Sequence, residues 1–149
     1  MKILLHQYNA VIGHCREQAE RKVEACGILY GLAQPRTITN MQRMENVHER
    51  PRYRWQFDPQ AQVSTWVDLD RQGMRPWVIY HSHLDTPPIM SDEDRLHAAN
   101  DSSISHLIVS MSDRTSRLWV ATHDYVRELP FQVVDLVGDL RVLRSVEFD

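Results

Sequence analysis

Apolar positions set out a sequence of elements along the chain. A short apolar stretch from Lys2 to His6 reads as a strand, and helical spacing follows through Tyr8, Val11, Ile12 and Cys15 before the charged run Arg16 to Lys22. The run from Val23 to Gly31 is continuously apolar apart from Glu24, and it is closed by Gly31 and Pro35, as a buried strand would be. Strand-like pieces follow at Thr37 to Met44 and at Arg52 to Phe57. Asp58-Pro59 then opens a helix: Asp caps, Pro suits the first turn, and Val63, Trp66, Val67 and Asp70 recur at helical intervals. Past Gly73, Trp77 to His83 reads as a central strand that turns polar at its end. Ser91-Asp92-Glu93-Asp94 is an acidic first turn for a helix to about Asn100, because carboxylates favour the positive end of the helix dipole. Strands at His106 to Met111 and Leu118 to His123 precede an extended region from Phe131 to Val146. Strands alternating with three helices predict an α/β class with a mixed sheet.

Composition narrows the class. The chain has 149 residues, 42% apolar and 25% charged, which suits one globular domain spanning 1–149. A net charge of -3 without a basic stripe argues against nucleic acid as a partner. No apolar run approaches membrane-spanning length and the N-terminal one is too short for a signal peptide, so a cytoplasmic protein is expected, without a membrane partner. Cys15 and Cys26 lack CxxC spacing and read as small buried side chains.

The polar end of the central strand carries the chemistry. His81 and His83 stand two residues apart on a strand, so both imidazoles leave the same face. Asp94, in the first turn of the next helix, can fold back over that strand end. Two His and one carboxylate leave a fourth position open on a zinc ion, the mark of a catalytic rather than a structural site. A plainer reading stands beside it. Ser91 and Asp94 fit a capping box, with Asp in place of the usual Glu, and a His-x-His pair can be two ordinary polar residues. Capping and ligation are compatible for this pair.

His81-Ser82-His83, Ser91 and Asp94, preceded by Glu24-Ala25-Cys26-Gly27-Ile28-Leu29-Tyr30-Gly31, resemble the JAMM (MPN-plus) zinc metallopeptidases, and most closely their short bacterial members that process ubiquitin-like sulfur-carrier proteins. The resemblance runs from the first helix to the strand at His106 to Met111. It implies a curved mixed sheet flanked by helices, the cytidine-deaminase-like JAMM architecture. It also implies one zinc per chain on His81, His83 and Asp94, and hydrolysis after the C-terminal Gly-Gly of a ubiquitin-like or sulfur-carrier protein. Glu24 would then be the general base that takes a proton from the attacking water and delivers it to the leaving amine. Ser91 would donate a hydrogen bond to the tetrahedral oxyanion. Ser82, between the two His, faces the other side of the strand and is assigned structure.

The chain departs from many members at three places. Leu84 and Met90 stand where Pro is common, and Arg21-Lys22-Val23 stands where a Pro precedes the Glu. None of these removes a chemical group, but the path of the Leu84 to Met90 loop is left open. Two rivals remain: a non-catalytic MPN-type scaffold, which ordinarily lacks ligands this chain keeps, and a two-His-one-carboxylate Fe(II) enzyme, which would not require Glu24. His6, His14, His48, His97, His106 and His123 lack a partner at ligand spacing. Trp55, Trp66, Trp77 and Trp119 read as core, and Glu49 to Arg54 reads as a solvated charged segment.

Overall fold

The computed structural model describes residues 1–135 and 147–149. It contains β1 (Lys2–Leu4), α1 (Leu5–Glu20), β2 (Cys26–Leu32), β3 (Asn40–Met44), α2 (Pro59–Arg71), β4 (Met74–His83), α3 (Asp92–Ala99), β5 (Ser105–Ser110), β6 (Thr115–Ala121), β7 (Val126–Leu129) and β8 (Gln132–Val134). The main sheet has the order β3-β2-β4-β5-β6-β7, and β1 and β8 form a separate parallel pair. Only β4 and β5 run parallel within the main sheet, and α3 lies in the crossover between them. This is the mixed α/β sheet flanked by helices that the pattern predicted.

Alternation along the central strands divides the core into faces. Val78 and Tyr80 join Leu29, Leu107, Val109 and Leu118 beneath Tyr8, Val11, Ile12 and Cys15 of α1. Ile79 turns to the opposite face, against Ile28, Leu69 of α2, Phe57 and Trp55. A third cluster, Met90, Ala98, Ile108 and Ala121, seats α3. By the same period of two, His81 and His83 share the face of Ile79, while Ser82 turns toward α1.

Several boundaries differ from the sequence expectation. The first strand ends at Leu4 because the Leu4 amide donates to Gln7 Oε1 at 3.3 Å, closing the first turn of α1 early. Arg52 to Phe57 does not form a strand: a turn at Pro51 interrupts the pairing and leaves one bridge, Asn46 with Phe57. Asp58 caps α2 as expected, accepting from the Ala61 amide at 2.9 Å. The edge strand β7, exposed at Arg127 and Glu128, has no strong apolar alternation and was not anticipated. Of the extended region from Phe131 to Val146, Gln132–Val134 forms β8, and 136–146 lie outside the described residues.

Gly27 lies where β2 is crowded from both sides: a Cβ there would overlap the Gln42 carbonyl oxygen and the Tyr80 ring and hydroxyl. Tyr80 is fully buried and shares a 2.7 Å hydrogen bond with His14 Nδ1, so it has little room to move aside. Gly27→Ala is therefore expected to lower the unfolding free energy by at least about 2 kcal/mol, as overpacked cores do. The measurement is a urea midpoint shift at unchanged slope.

Candidate functional site

The site forms where the C-terminal end of β4 meets the N-terminus of α3. β2 pairs antiparallel with β4, with Cys26 opposite His81, and the Ser82 amide donates to the Ala25 carbonyl at 3.0 Å. Continuing that register sets Glu24 opposite His83, and residues directly opposite in an antiparallel pair point to one face. Ser82, on the other face, is buried and accepts from the Ala25 amide at 2.8 Å, which locks the two strand ends together. Its structural assignment agrees with this placement.

His81, His83 and Asp94 are all buried and bring one ligand atom each into a single cluster. His81 Nε2 lies 3.2 Å from His83 Nε2 and 3.3 Å from Asp94 Oδ1, and His83 Nε2 lies 3.2 Å from Asp94 Oδ2. Donor atoms set tetrahedrally around a zinc ion at 2.0–2.1 Å stand roughly 3.3–3.4 Å apart, close to the spacing of the two imidazole nitrogens and of each from its nearer Asp94 oxygen. Two imidazoles and a carboxylate also suit zinc chemically.

Hydrogen bonds around the cluster prepare it to bind a cation. His83 Nδ1 donates to the Pro87 carbonyl at 2.8 Å, which leaves the Nε2 lone pair facing the cluster. Asp94 forms the anticipated capping box: its amide donates to Ser91 Oγ at 3.1 Å and its Oδ2 accepts from the Ser91 amide at 3.0 Å. Its Oδ1 accepts from Trp55 Nε1 at 3.2 Å. Burial alone would raise the Asp94 pKa, but the two imidazoles and the Ser91 amide outweigh it and hold the carboxyl well below its usual range. Burial lowers His81 against the pull of Asp94, favouring the neutral ring that ligates metal. His83 goes the other way: burial opposes its charge, yet its bonds to Asp94 and Pro87 prevail and raise it.

Glu24 is 4% exposed, and burial pushes its pKa up to about 8. A cation on the neighbouring cluster would draw it down again, since opposite charge favours the carboxylate. Glu24, His83 and Ser91 line one cavity of about 290 Å³, and His81 and Asp94 are buried in the cluster that His83 extends toward it. All five residues singled out from the sequence thus meet in one place. The Ser91 oxygen is engaged as the α3 cap, but its own hydrogen is not consumed by that bond and is left to donate.

The walls of the cavity come from two loops. Arg52, Tyr53 and Arg54 line one side and Leu84 and Ile89 the other. Arg52 Nη2 meets Asp85 at 3.2 Å, while Arg54 Nε at 2.6 Å and His48 Nε2 at 3.2 Å both meet Glu93. The segment expected to be a solvated charged face is therefore a cavity wall, because Asp85 of the facing loop and Glu93 of α3 take up two of its arginines. Asn46 holds this wall: its Nδ2 donates to the Glu24 and Arg54 carbonyls at 3.0 and 2.9 Å, and its Oδ1 accepts from the amides of His48 and Gln56, each at 3.1 Å. On the far side, Ser110 Oγ donates to the Thr86 carbonyl and Trp119 Nε1 to the Pro88 carbonyl, both at 2.8 Å, which settles the path of the Leu84 to Met90 loop. Asn46 carries no motif of its own, and Trp55 reads as core from the sequence. Trp55 is indeed core, at 4% exposure, but it is also bonded to Asp94.

Known proteins share this arrangement's fold and sequence. A family model described as prokaryotic homologs of the JAB domain matches residues 8–122. The chain is 33% identical over 128 residues to a desampylase of Haloferax volcanii, a match that covers 84% of this chain and 90% of that protein. It is 29% identical over 133 residues to a CysO-cysteine peptidase of Mycobacterium tuberculosis, covering 85% and 86%. A solution structure of a protein from Desulfitobacterium hafniense superposes with a TM-score of 0.76 at 26% identity, over 92% of this chain and 94% of that one. By this family match, the chain belongs to the prokaryotic homologues of the JAB domain, as a hydrolase of the JAMM type.

Proposed function

We propose that the chain is a zinc-dependent peptidase that cleaves after the C-terminal Gly-Gly of a ubiquitin-like or sulfur-carrier protein, releasing cysteine, a short peptide or a conjugated protein. Residues 1–149 work as one JAMM unit, with one zinc ion on His81, His83 and Asp94. The observation that carries this reading is the convergence of two imidazole nitrogens 3.2 Å apart, each 3.2 to 3.3 Å from its own oxygen of the Asp94 carboxylate, beside a buried Glu24. The desampylase and CysO-cysteine peptidase relatives support a carrier-type protein substrate.

A zinc ion held by His81, His83 and Asp94 would supply Lewis-acid chemistry and lower the pKa of water at neutral pH. Glu24 accepts the proton of the attacking water and returns it to the leaving amine; burial raises its carboxyl pKa and a cation on the cluster would lower it, which favours the proton-accepting carboxylate. Ser91, fixed by its capping bond, donates its hydroxyl hydrogen to the oxygen of the tetrahedral stage. Tyr53, Leu84 and Ile89 line the same cavity as Glu24 and Ser91, and an extended tail that ends without side chains would reach the cluster through it. A non-catalytic scaffold would not need a buried Glu24 beside three intact ligands.

Purified protein should hold about one zinc per chain, consistent with one three-ligand site, and His83→Ala or Asp94→Ala should lose it while the circular dichroism spectrum is kept. Metal analysis checks this; zinc retained by His83→Ala at full activity would overturn the ligand assignment.

Glu24→Gln should keep zinc and lose turnover by roughly 10²- to 10⁴-fold, the range for a removed general base. Only the carboxylate accepts a proton, so kcat/KM of the wild type should fall as pH drops below the Glu24 pKa of the zinc-loaded protein. The residual activity of Glu24→Gln should lack that limb, with zinc content monitored at each pH. A wild-type profile flat through this range would remove Glu24 from the proton-accepting role.

Matched carriers test the passage. A carrier ending in Gly-Gly followed by Cys or a short peptide should be cut after the last Gly, and Gly→Ala there should slow cleavage on the order of 10²-fold by displacing the reacting carbonyl. Ser91→Ala should lower turnover on the good substrate while leaving binding in place. Mass spectrometry of the products reads both, and equal cleavage of the two carriers would refute a narrow passage.

A further inference from the structure

The three side chains of the cluster are not anchored alike. His83 is fixed through Nδ1, which donates to the Pro87 carbonyl at 2.8 Å. His81 Nδ1 is buried and has no hydrogen-bond partner among the described residues. A ligating imidazole ordinarily takes its orientation from a hydrogen bond at its second ring nitrogen. In place of that bond, His81 has the face of Trp55, with ring centroids 5.3 Å apart and planes inclined by 26°. The indole is itself held between neighbours, with His97 at 4.9 Å and Phe57 at 5.0 Å between centroids.

Trp55 also acts on the carboxylate. An ionised Asp offers about four lone-pair directions. On Asp94, Oδ2 receives the Ser91 amide at 3.0 Å and Oδ1 receives Trp55 Nε1–H at 3.2 Å. Each oxygen thus has one protein donor and keeps a lone pair toward the imidazoles. Two donors on different oxygens fix the rotation of the carboxylate about its Cβ–Cγ bond, whereas one alone leaves a swing about that donor. Both also favour the ionised form, the one that binds a cation.

We propose that Trp55 is a positioning residue of the metal centre: its N–H fixes Asp94 and its ring face orients His81, the ligand that lacks a hydrogen-bonded anchor. This rests on the proposed ligand set. Tight zinc binding then depends on a residue that touches no zinc, no substrate and no reacting atom.

Trp55→Phe keeps an aromatic ring and deletes the N–H. Zinc affinity, measured by competition with a chromogenic chelator, should weaken about 10- to 100-fold, the usual cost of losing a partner of a metal ligand. The circular dichroism spectrum of the zinc-free variant should stay that of the wild type, with the thermal midpoint lowered by a few degrees because the smaller ring fills the buried site less well. In ¹⁵N-labelled wild-type protein the Trp55 indole N–H should exchange slowly with water and shift on zinc addition. A folded Trp55→Phe that holds zinc as tightly as the wild type would overturn the inference and leave the ligand set standing. If the variant does not fold, an indole proton that exchanges freely and is unmoved by zinc overturns it instead. A wild type that takes up no zinc removes the ligand set itself, and with it the role of Trp55.

Discussion

The antiparallel register of β2 on β4 is the constraint on which the rest of the site depends. With Cys26 opposite His81, Glu24 can only fall opposite His83 and on the same face. A shift of one residue would turn every side chain of one strand to the other face, sending Glu24 toward α1. Two features hold the register. Gly27 admits Tyr80 and the Gln42 carbonyl at close quarters, and Ser82 bridges to the Ala25 amide at 2.8 Å. The side chains of both strands fix the register as well, because slipping it would turn Glu24 toward the aliphatic groups under α1 and force Leu29 or Val78 into the differently shaped cluster on the α2 side.

Burial at the site works through that geometry. Taken out of water, Glu24 would hold its proton up to about pH 8, while Asp94 only a strand end away is held ionised. The difference lies in partners: Asp94 has two imidazoles and two N–H donors, and none of those bonds goes to the Glu24 carboxyl. Two carboxylates in one pocket are thereby kept in separate roles, one suited to hold a cation and the other to exchange a proton.

Much of this was legible in the sequence because it obeys local periods. Two imidazoles on one face follow from the period of two, and Ser91 with Asp94 follows from the capping box; both are properties of a few adjacent residues. The helices Leu5–Glu20, Pro59–Arg71 and Asp92–Ala99 carried spacing or cap signals and form close to where those put them. Glu24 was not legible from its own surroundings and stood out only through the likeness of its segment to a family. Trp55, Asn46 and the Arg52 to Arg54 wall were missed for another reason. Trp55, Arg52 and Arg54 have their partners in remote parts of the chain, and Asn46 bonds to irregularly spaced backbone groups, so none of them leaves a period to detect. The strand expected at Arg52 to Phe57 failed likewise, since Asn46 gathers that backbone into a loop with bonds the alternation of side chains does not reveal.

The ion pairs across the cavity separate two kinds of inheritance. Arg52 with Asp85, and Arg54 with Glu93, bridge the walls at partly exposed positions. The donor atoms of the cluster lie on β4 and the first turn of α3, and none of them belongs to these pairs. A lineage could exchange one pair for a longer or apolar one, and so admit a different tail, while His81, His83, Asp94 and Glu24 stayed as they are. Diversification in such a protein is expected at Arg52, Tyr53 and Arg54 and at Leu84, Asp85 and Ile89, which line the cavity, whereas Trp55 and Pro87 are tied to the cluster and are expected to stay.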